Sequence, residues 1–213
     1  MAVATNFRPV LEKLHPRFER ETPYRVVMSS GATGALYHQI TSGAPFDVFL
    51  AADHRTPSLL AEQYPAGSTN LECYARGRLA LEGSGGEFDA LAKPELSLAI
   101  ANPATAPYGA AAQQVITREE FTSGKARKLV RGSNAMQAFQ FWRTGGVDLA
   151  LVPRSLAGPE ALVIPPDWHA PIDQYALLLP AAQVNPAATR YFRWLLSAEV
   201  QAAIIASGYD ACP

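Results

Sequence analysis

Four short polar stretches, each at a predicted junction between a strand and the following helix, contain the residues best suited to chemistry. They offer hydroxyl groups, backbone N–H groups and the first turns of helices. The first turn of a helix has N–H groups without intrahelical partners and a partial positive charge, so it can hold an anion. The four stretches are Ala4-Thr5-Asn6, Gly31-Ala32-Thr33-Gly34, Ala106-Pro107-Tyr108-Gly109 and Ser133-Asn134-Ala135.

Formal positive charge is absent from all four junctions, since the nearest cationic residues are Arg8 and Arg131. This set of donors favours a small, fully ionised oxyanion bound by neutral dipoles, with about 0.3–1 kcal/mol from each helix terminus. Ser, Thr and Asn are also the ordinary N-cap residues of helices, so capping alone explains any single junction. The residues themselves do not identify the ion.

The second junction has the clearest pattern. An apolar segment ending at Met28 leads into a hydroxyl-rich turn and then into an amphipathic helix. Thr33 is predicted to be the N-cap of that helix, with Leu36 and Ile40 on its apolar face. In the first junction, Asn6 is predicted to cap a helix that Pro16 should kink or shorten.

Strand and helix patterns alternate along the chain, which predicts an α/β fold with mostly parallel sheets and ligands at the carboxyl ends of the strands. Two long strands bracket the central α/β series and predict two lobes joined by two crossovers. The lobes comprise residues 1–75 with 180–213, and residues 76–179. The predicted strands are Ala2–Ala4, Tyr24–Met28, Phe46–Ala51, Leu71–Leu81, Leu96–Ala101, Lys128–Arg131, Val147–Val152 and Gln174–Leu179, and a closing helix from Asn185-Pro186 carries Tyr191, Leu195, Val200 and Ile204 on one side.

Composition limits the class of protein. The 213 residues are 48% apolar and 17% charged, which is typical of a globular protein with a substantial core. The net charge of −1 gives no general attraction to nucleic acid or anionic membranes, and no apolar run approaches the roughly 20 residues of a membrane span. Met1 leads directly into a predicted strand. This indicates either a cytoplasmic protein or a mature form without its targeting segment.

The histidines and cysteines of the sequence lack the spacing that is typical of a metal site. The histidines at 15, 38, 54 and 169 are scattered, and the two cysteines are too few for a cysteine-rich site. Cys73 and Cys212 could form a disulfide in an oxidising compartment, and the sequence leaves that open. Asp53 is interpreted as a turn or helix cap, because a carboxylate facing a dianion would repel it.

The sequence is similar over essentially its whole length to the periplasmic molybdate-binding proteins of ABC importers. The run Gly43–Asp53 is the most specific part of the resemblance. The matching runs are Ala2-Val3-Ala4-Thr5-Asn6-Phe7, Ser29-Ser30-Gly31-Ala32-Thr33-Gly34, Gly43-Ala44-Pro45-Phe46-Asp47-Val48-Phe49 with Ala51-Ala52-Asp53, and Asn102-Pro103 with Ala106-Pro107-Tyr108-Gly109.

The resemblance implies a class II periplasmic-binding-protein fold that closes on molybdate or tungstate, the metal being bound as its oxyanion by the same residues. Tyr108 and Ala135 would act through their backbone N–H groups. A tyrosine that some members use as a further contact corresponds to Pro153 here, which has no donor. By position, the implied oxyanion contacts are Thr5, Asn6, Thr33, Tyr108 and Ala135, and the implied supporting residues are Ala32, Pro107 and Asn134.

The resemblance further implies a monomeric periplasmic receptor that delivers its ligand to a membrane permease. No enzymatic activity, cofactor, nucleic-acid partner or membrane insertion is expected. The same scaffold could instead bind another oxyanion such as sulfate or chromate, or a small carboxylate. It could also be an enzyme, which would need a paired acid and base or a cofactor lysine, or the effector-sensing domain of a transcription regulator.

Overall fold

The computed structural model describes residues 1–65 and 70–213. The chain divides into two compact units, of which unit 1 comprises Met1–Arg76 and Asp173–Pro213, and unit 2 comprises Gly77–Ile172. The chain therefore crosses from unit 1 to unit 2 and back. Each unit is built around its own five-stranded sheet.

Unit 1 contains a sheet in the order β2-β1-β3-β10-β4. Its strands β1, β2 and β3 are parallel, and β10 is antiparallel to β3. Helix α1 packs its buried residues against the core of this unit, and Phe18 is 1% exposed there. The elements are β1 (Ala2–Ala4), α1 (Arg8–Glu21), β2 (Ser29–Gly31), α2 (Thr33–Thr41), β3 (Val48–Ala51), α3 (Arg55–Ala61), β4 (Asn70–Gly77), β10 (Ile172–Leu178), α6 (Pro186–Leu195) and α7 (Ala198–Ala206).

Unit 2 repeats the arrangement with a sheet in the order β7-β6-β8-β5-β9. Strand β6 is parallel to both β7 and β8, and β5 is antiparallel to β8. The two middle strands β6 and β8 are buried along their length, as expected of strands covered on both faces. The elements are β5 (Leu79–Glu82), β6 (Leu98–Ala101), α4 (Pro107–Ile116), β7 (Leu129–Gly132), α5 (Ala135–Arg143), β8 (Leu149–Pro153) and β9 (Leu162–Val163).

Three predicted strands are placed differently by the structure. The predicted strand Tyr24–Met28 is replaced by β2 at Ser29–Gly31, because Val26 and Met28 pack against the core without joining the ladder. The predicted strand Leu71–Leu81 is two strands, since the chain leaves the first sheet after β4 and enters the second at β5. The last strand, which the sequence places in the second lobe, pairs as β10 with β3 of unit 1.

Two helices also differ from the sequence prediction. Helix α1 is not shortened at Pro16 but runs five residues past it to Glu21, because tertiary packing of its buried face outweighs the missing N–H. The predicted closing helix is two helices, α6 and α7. Ser197 is the N-cap of α7, and its hydroxyl donates to Trp194 O at the end of α6.

A disulfide between Cys73 and Cys212 answers the question that the sequence left open. Its Cα atoms are 6.0 Å apart, and the two residues are 139 positions apart in sequence. Closing a loop of this length stabilises a fold by about 4–5 kcal/mol through the entropy of the unfolded chain. Among the described residues, none of the helices combines the length and apolar character required to cross a bilayer.

Candidate oxyanion-binding site

The two junctions of unit 1 lie side by side. Parallel pairing sets Ala4 opposite Gly31, and the N–H of Thr5 donates to Gly31 O at 3.1 Å. The residues that follow β1 and β2 therefore emerge at the same edge of the sheet. We call this group, Thr5, Asn6, Ala32 and Thr33, the first half-site.

Thr33 is held as a hydrogen-bond donor by its neighbours. The prediction that it is an N-cap is wrong, because Ala32 is the N-cap and Thr33 is the first residue of α2. Its side chain turns instead toward β3, where Oγ1 accepts from the N–H of Ala52 at 3.0 Å. A hydroxyl that accepts this bond still has its own hydrogen to donate, and the residue is 1% exposed.

Asn6 does not cap α1, contrary to the prediction. The N-cap is Phe7, and Asn6 directs its side chain into unit 1. Its Nδ2 donates to Gln174 Oε1 at 2.9 Å and to Tyr209 Oη at 3.1 Å. The hydrogens of this buried amide need acceptors, which the donors at a helix N-terminus cannot supply, and Gln174 and Tyr209 provide them.

Thr5 lies beside Asn6 and is 8% exposed. Its backbone N–H is used in the pairing with β2. Within residues 1–65 and 70–213, its hydroxyl has no hydrogen-bond partner. The first half-site therefore contains one hydroxyl held in place by a neighbour and one without a protein partner.

The two junctions of unit 2 also lie side by side. Ala101 pairs with Gly132, and the N–H of Asn102 donates to Gly132 O at 2.8 Å, in the same way as Thr5 donates to Gly31. Tyr108 is the second residue of α4 and is 2% exposed, while Ala135 is the first residue of α5. We call this group, Pro107, Tyr108, Asn134 and Ala135, the second half-site.

The first turn of α5 is partly capped by side chains. Asn134 Oδ1 accepts from the N–H of Gln137 at 3.0 Å, and Gln137 Oε1 accepts from the N–H of Ser133 at 2.6 Å. The N–H groups of Ala135 and Met136 have no acceptor in the described part of the chain. Because Ala135 is 5% exposed, its N–H is a buried donor at a helix N-terminus.

Glycines bring both helices of unit 2 close to their strands. A Cβ at Gly109 would lie 2.4 Å from Ala101 O, so α4 can approach the end of β6 only with glycine there. A Cβ at Gly132 would lie 2.7 Å from the backbone N of Ala138 in α5. Both contacts involve backbone atoms, which cannot move aside easily.

Two charged residues close in sequence to the junctions of unit 1, Arg8 and Asp53, have hydrogen-bond partners of their own. Arg8 Nε contacts Glu12 Oε1 at 2.7 Å, and its second nitrogen donates to Ser30 Oγ at 3.2 Å. The carboxylate of Asp53 accepts from the N–H and the hydroxyl of Thr56 at 2.7 and 3.0 Å, which agrees with its prediction as a turn or helix cap, although the N-cap position of α3 is His54. Burial raises the pKa of Asp53 above its ordinary value.

Other features lie apart from the half-sites. A groove of about 620 Å³ in unit 1 is lined by residues near the end of α1 and on α6, and none of the predicted oxyanion contacts lines it. Pro153 is the last residue of β8, paired with Leu79. Across the described ranges, no group of three or more His, Cys, Asp or Glu residues could hold a metal ion.

Sequence reasoning missed the partners of these residues. Gln174 is fully buried and alternates with the apolar residues Ile172 and Ala176 along β10, and a polar residue at such a position is a signal that could have marked it. Tyr209 and Ala52 have no local signal, because their roles depend on segments distant in sequence. The sequence identified the junctions but not the residues behind them.

The chain is similar to known proteins over nearly its whole length. The family "Bacterial extracellular solute-binding protein" matches residues 1–210. The molybdate-binding protein ModA of Azotobacter vinelandii is 38% identical over 98% of this chain and 88% of its own length, and that of Rhodobacter capsulatus is 34% identical over 98% and 86%. A solved Azotobacter vinelandii periplasmic molybdate-binding protein superposes with a TM-score of 0.90 at 29% identity, covering 100% of this chain and 98% of that one. The fold class expected from the resemblance is confirmed.

Proposed function

The chain belongs to the family of bacterial extracellular solute-binding proteins, and we propose that it captures molybdate or tungstate for uptake by an ABC importer. The ligand class is supported by the two ModA proteins and the molybdate-binding structure that it resembles over nearly its full length. The observation that carries the proposal is the pair of half-sites, which offer neutral donors at the carboxyl ends of parallel strands.

The proposed contacts divide between side chains and backbone. In the first half-site, the hydroxyls of Thr5 and Thr33 donate to the anion. Asn6 contributes through its backbone, because both hydrogens of its side-chain amide are engaged within unit 1. In the second half-site, Tyr108 and Ala135 contribute backbone N–H groups in the first turns of α4 and α5, where the helix dipole favours an anion.

Neutral donors select for an anion that carries no proton. Each N–H and O–H must find an oxygen lone pair, so a protonated oxyanion would present a hydrogen where an acceptor is required. Size gives the second criterion, since donors set about 2.7–3.1 Å from the oxygens of molybdate lie too far from those of the smaller sulfate. Tungstate, similar in charge, shape and size, is expected to bind as well.

Calorimetric titration of the protein with molybdate, tungstate, sulfate and phosphate tests this function. We expect molybdate and tungstate to bind tightly, and sulfate and phosphate to bind at least about 100-fold more weakly, which corresponds to about 2.7 kcal/mol. Tight binding of sulfate alone would contradict the assignment. If none of the four anions binds, the protein is not an oxyanion receptor.

The proposed role includes a partner and a location. A receptor of this kind acts outside the cytoplasm, as a monomer, and delivers its ligand to a membrane permease. It needs no cofactor and no catalytic group, so the bound anion leaves chemically unchanged. Recovery of unaltered molybdate after release from the protein, with association measured against the reconstituted permease, tests these points.

A further inference from the structure

A buried polar cluster lies directly behind Asn6 in unit 1. It consists of Asn6, Tyr74, Gln174 and Tyr209, none of which is more than 2% exposed. Besides the two bonds of the Asn6 amide, Tyr74 Oη donates to Gln174 Oε1 at 2.9 Å, and Tyr209 Oη donates to Asn6 O at 3.0 Å. The members come from four separate segments, namely the turn after β1, β4, β10 and the C-terminal tail.

The bonds of the cluster fix the orientation of Asn6. A tyrosine hydroxyl has one hydrogen, and that of Tyr209 is donated to Asn6 O, so its bond with the Asn6 side chain must be accepted from Nδ2. Gln174 Oε1 accepts from the same Nδ2. Gln174 Oε1 also accepts from the hydroxyl of Tyr74, and burial raises the pKa of that hydroxyl well above its ordinary value.

The peptide unit that follows Asn6 is held at both ends. Its carbonyl oxygen accepts from Tyr209, and its N–H, which belongs to Phe7, donates to Ala4 O at 3.0 Å. The Phe7 ring also packs edge-on against the ring of Tyr209, with centroids 5.5 Å apart. Tyr209 therefore fixes the turn that begins the first half-site in two ways. Its hydroxyl bonds to the carbonyl oxygen of Asn6, and its ring packs against that of Phe7.

Tyr209 is itself held in place by the residues around it. On one side, Arg76 and Asp210 exchange backbone hydrogen bonds of 2.9 Å each, which joins the tail to β4. Two residues further along the tail, Cys212 is bonded to Cys73 of the same strand. The tail is thus attached to β4 on the C-terminal side of Tyr209 by hydrogen bonds and by a covalent bond.

We propose that Tyr209 and Gln174 are positioning residues of the oxyanion site, and that the Cys73–Cys212 disulfide serves the same end by holding the tail. They fix the Thr5–Asn6 turn at the spacing that a molybdate-sized anion requires. This inference rests on the proposed function, because it takes the Thr5–Asn6 turn as an anion contact.

The first test compares two buried tyrosines of unit 1. Tyr209→Phe removes the hydroxyl that holds Asn6 and keeps the ring. Tyr191→Phe is the matched control, since Tyr191 is 4% exposed and its hydroxyl is bonded to His15 Nε2 at 2.8 Å, outside the polar cluster. Molybdate and sulfate affinities are measured by calorimetry and stability by thermal unfolding, for both variants and the wild type.

Both variants are expected to lower the melting temperature, because each leaves a buried partner unsatisfied. Only Tyr209→Phe should weaken molybdate binding, by about tenfold, which is the effect of one displaced hydrogen bond to a charged ligand. It should also reduce the ratio of molybdate to sulfate affinity, whereas Tyr191→Phe should leave both within about twofold. Equal losses of stability with unchanged affinities in both variants would show that the cluster is merely structural.

A double-mutant cycle tests whether Tyr209 acts through Asn6. In the Asn6→Ala background, Tyr209→Phe should cause a smaller loss of molybdate affinity than in the wild type, because the bond with the Asn6 amide is already gone and only the bond to the carbonyl oxygen of residue 6 remains to be lost. Additive losses would overturn the proposal.

The disulfide is tested by the double variant Cys73→Ser/Cys212→Ser, which leaves the polar cluster chemically intact. Molybdate binding should weaken by about threefold, a fraction of one hydrogen bond to a charged ligand. Unchanged affinity would remove the disulfide from the inference.

The same measurements separate this inference from the proposed function. A wild-type protein that does not bind molybdate contradicts the function. A wild-type protein that binds molybdate, with a Tyr209→Phe variant that binds it equally well, contradicts only the positioning role. Gln174→Met provides a second variant if Tyr209→Phe fails to fold, and it too should lower affinity more than Tyr191→Phe does.

Discussion

The two units place their half-sites alike but hold them by different means. In each, a five-stranded sheet has the same pattern of parallel and antiparallel neighbours around its central strand. In each, the first residue after one strand donates its N–H to the last residue of the next, Thr5 to Gly31 and Asn102 to Gly132. The resulting edge carries two junctions side by side.

The difference lies in how the donors are fixed. Unit 1 uses hydrogen bonds made by side chains, such as those of Thr33 with the Ala52 N–H and of the Asn6 amide with the side chains of Gln174 and Tyr209. Unit 2 presents backbone N–H groups and fixes them by the close approach of helix to strand that Gly109 and Gly132 allow. Removing a side chain should therefore affect the first half-site most, whereas changing the backbone should affect the second.

The largest effect is expected from Ala135→Pro. Proline is well accommodated at the first position of a helix, and the preceding Asn134 has the extended backbone that proline requires. The change removes one N–H and places ring atoms there, so molybdate affinity should fall by about 100-fold, the upper range for a charged hydrogen bond, with little change in melting temperature. Ala198→Pro, at the first position of α7, is the matched control and should keep full affinity. Retained affinity in Ala135→Pro would remove that N–H from the site.

The next effect is expected in unit 1, from Thr33→Val. The variant keeps the shape but loses the hydroxyl, so the N–H of Ala52 loses its acceptor and stability should fall by about 1–3 kcal/mol. Affinity for molybdate should fall by about 30-fold, within the range for a lost bond to a charged group. Thr33→Ser keeps the hydroxyl, so it should retain most of the molybdate affinity, measured by calorimetry, and most of the stability, measured by denaturant unfolding. A Val variant that is destabilised but binds normally would show that the hydroxyl serves only Ala52.

A smaller effect on affinity is expected from Gly109→Ala in unit 2. Its new Cβ would overlap Ala101 O, so the start of α4 must move, at a cost of about 1–3 kcal/mol in stability. Molybdate affinity should fall by about tenfold as the Tyr108 N–H is displaced, comparable to one weakened hydrogen bond. Gly158→Ala, whose Cβ would lie at an ordinary 3.6 Å from Glu82 Oε1, is the control. If the two variants have the same stability and molybdate affinity, the close approach of α4 to β6 does not depend on Gly109.

The smallest effect is expected from Tyr108→Phe. If unit 2 acts through its backbone, loss of this hydroxyl should change molybdate affinity by less than about threefold, below the value of one charged hydrogen bond. Calorimetry beside Thr33→Val gives the direct comparison of the two units. A loss as large as that of Thr33→Val would mean that unit 2 also uses a side chain.

Much of the arrangement could be predicted from local patterns. Apolar runs followed by small polar residues indicated the ends of β1, β3, β6 and β8 within a few residues, and Asp53 was identified as a residue of a turn or helix cap. The prediction was weaker where an apolar segment packs without pairing, as at Val26 and Met28. It also failed at Asn6 and Thr33, where ordinary capping residues have another partner.

The sequence by itself determined where strands give way to helices, and that the donors at those junctions carry no charge. Both follow from residue types within a few positions of one another. Only the tertiary structure decided what each donor does, because Asn6 finds its partners 168 and 203 residues away and the Thr33 hydroxyl finds its partner on a different strand. A side chain takes the hydrogen bond that burial makes most favourable, and that partner exists only once the segments have folded together.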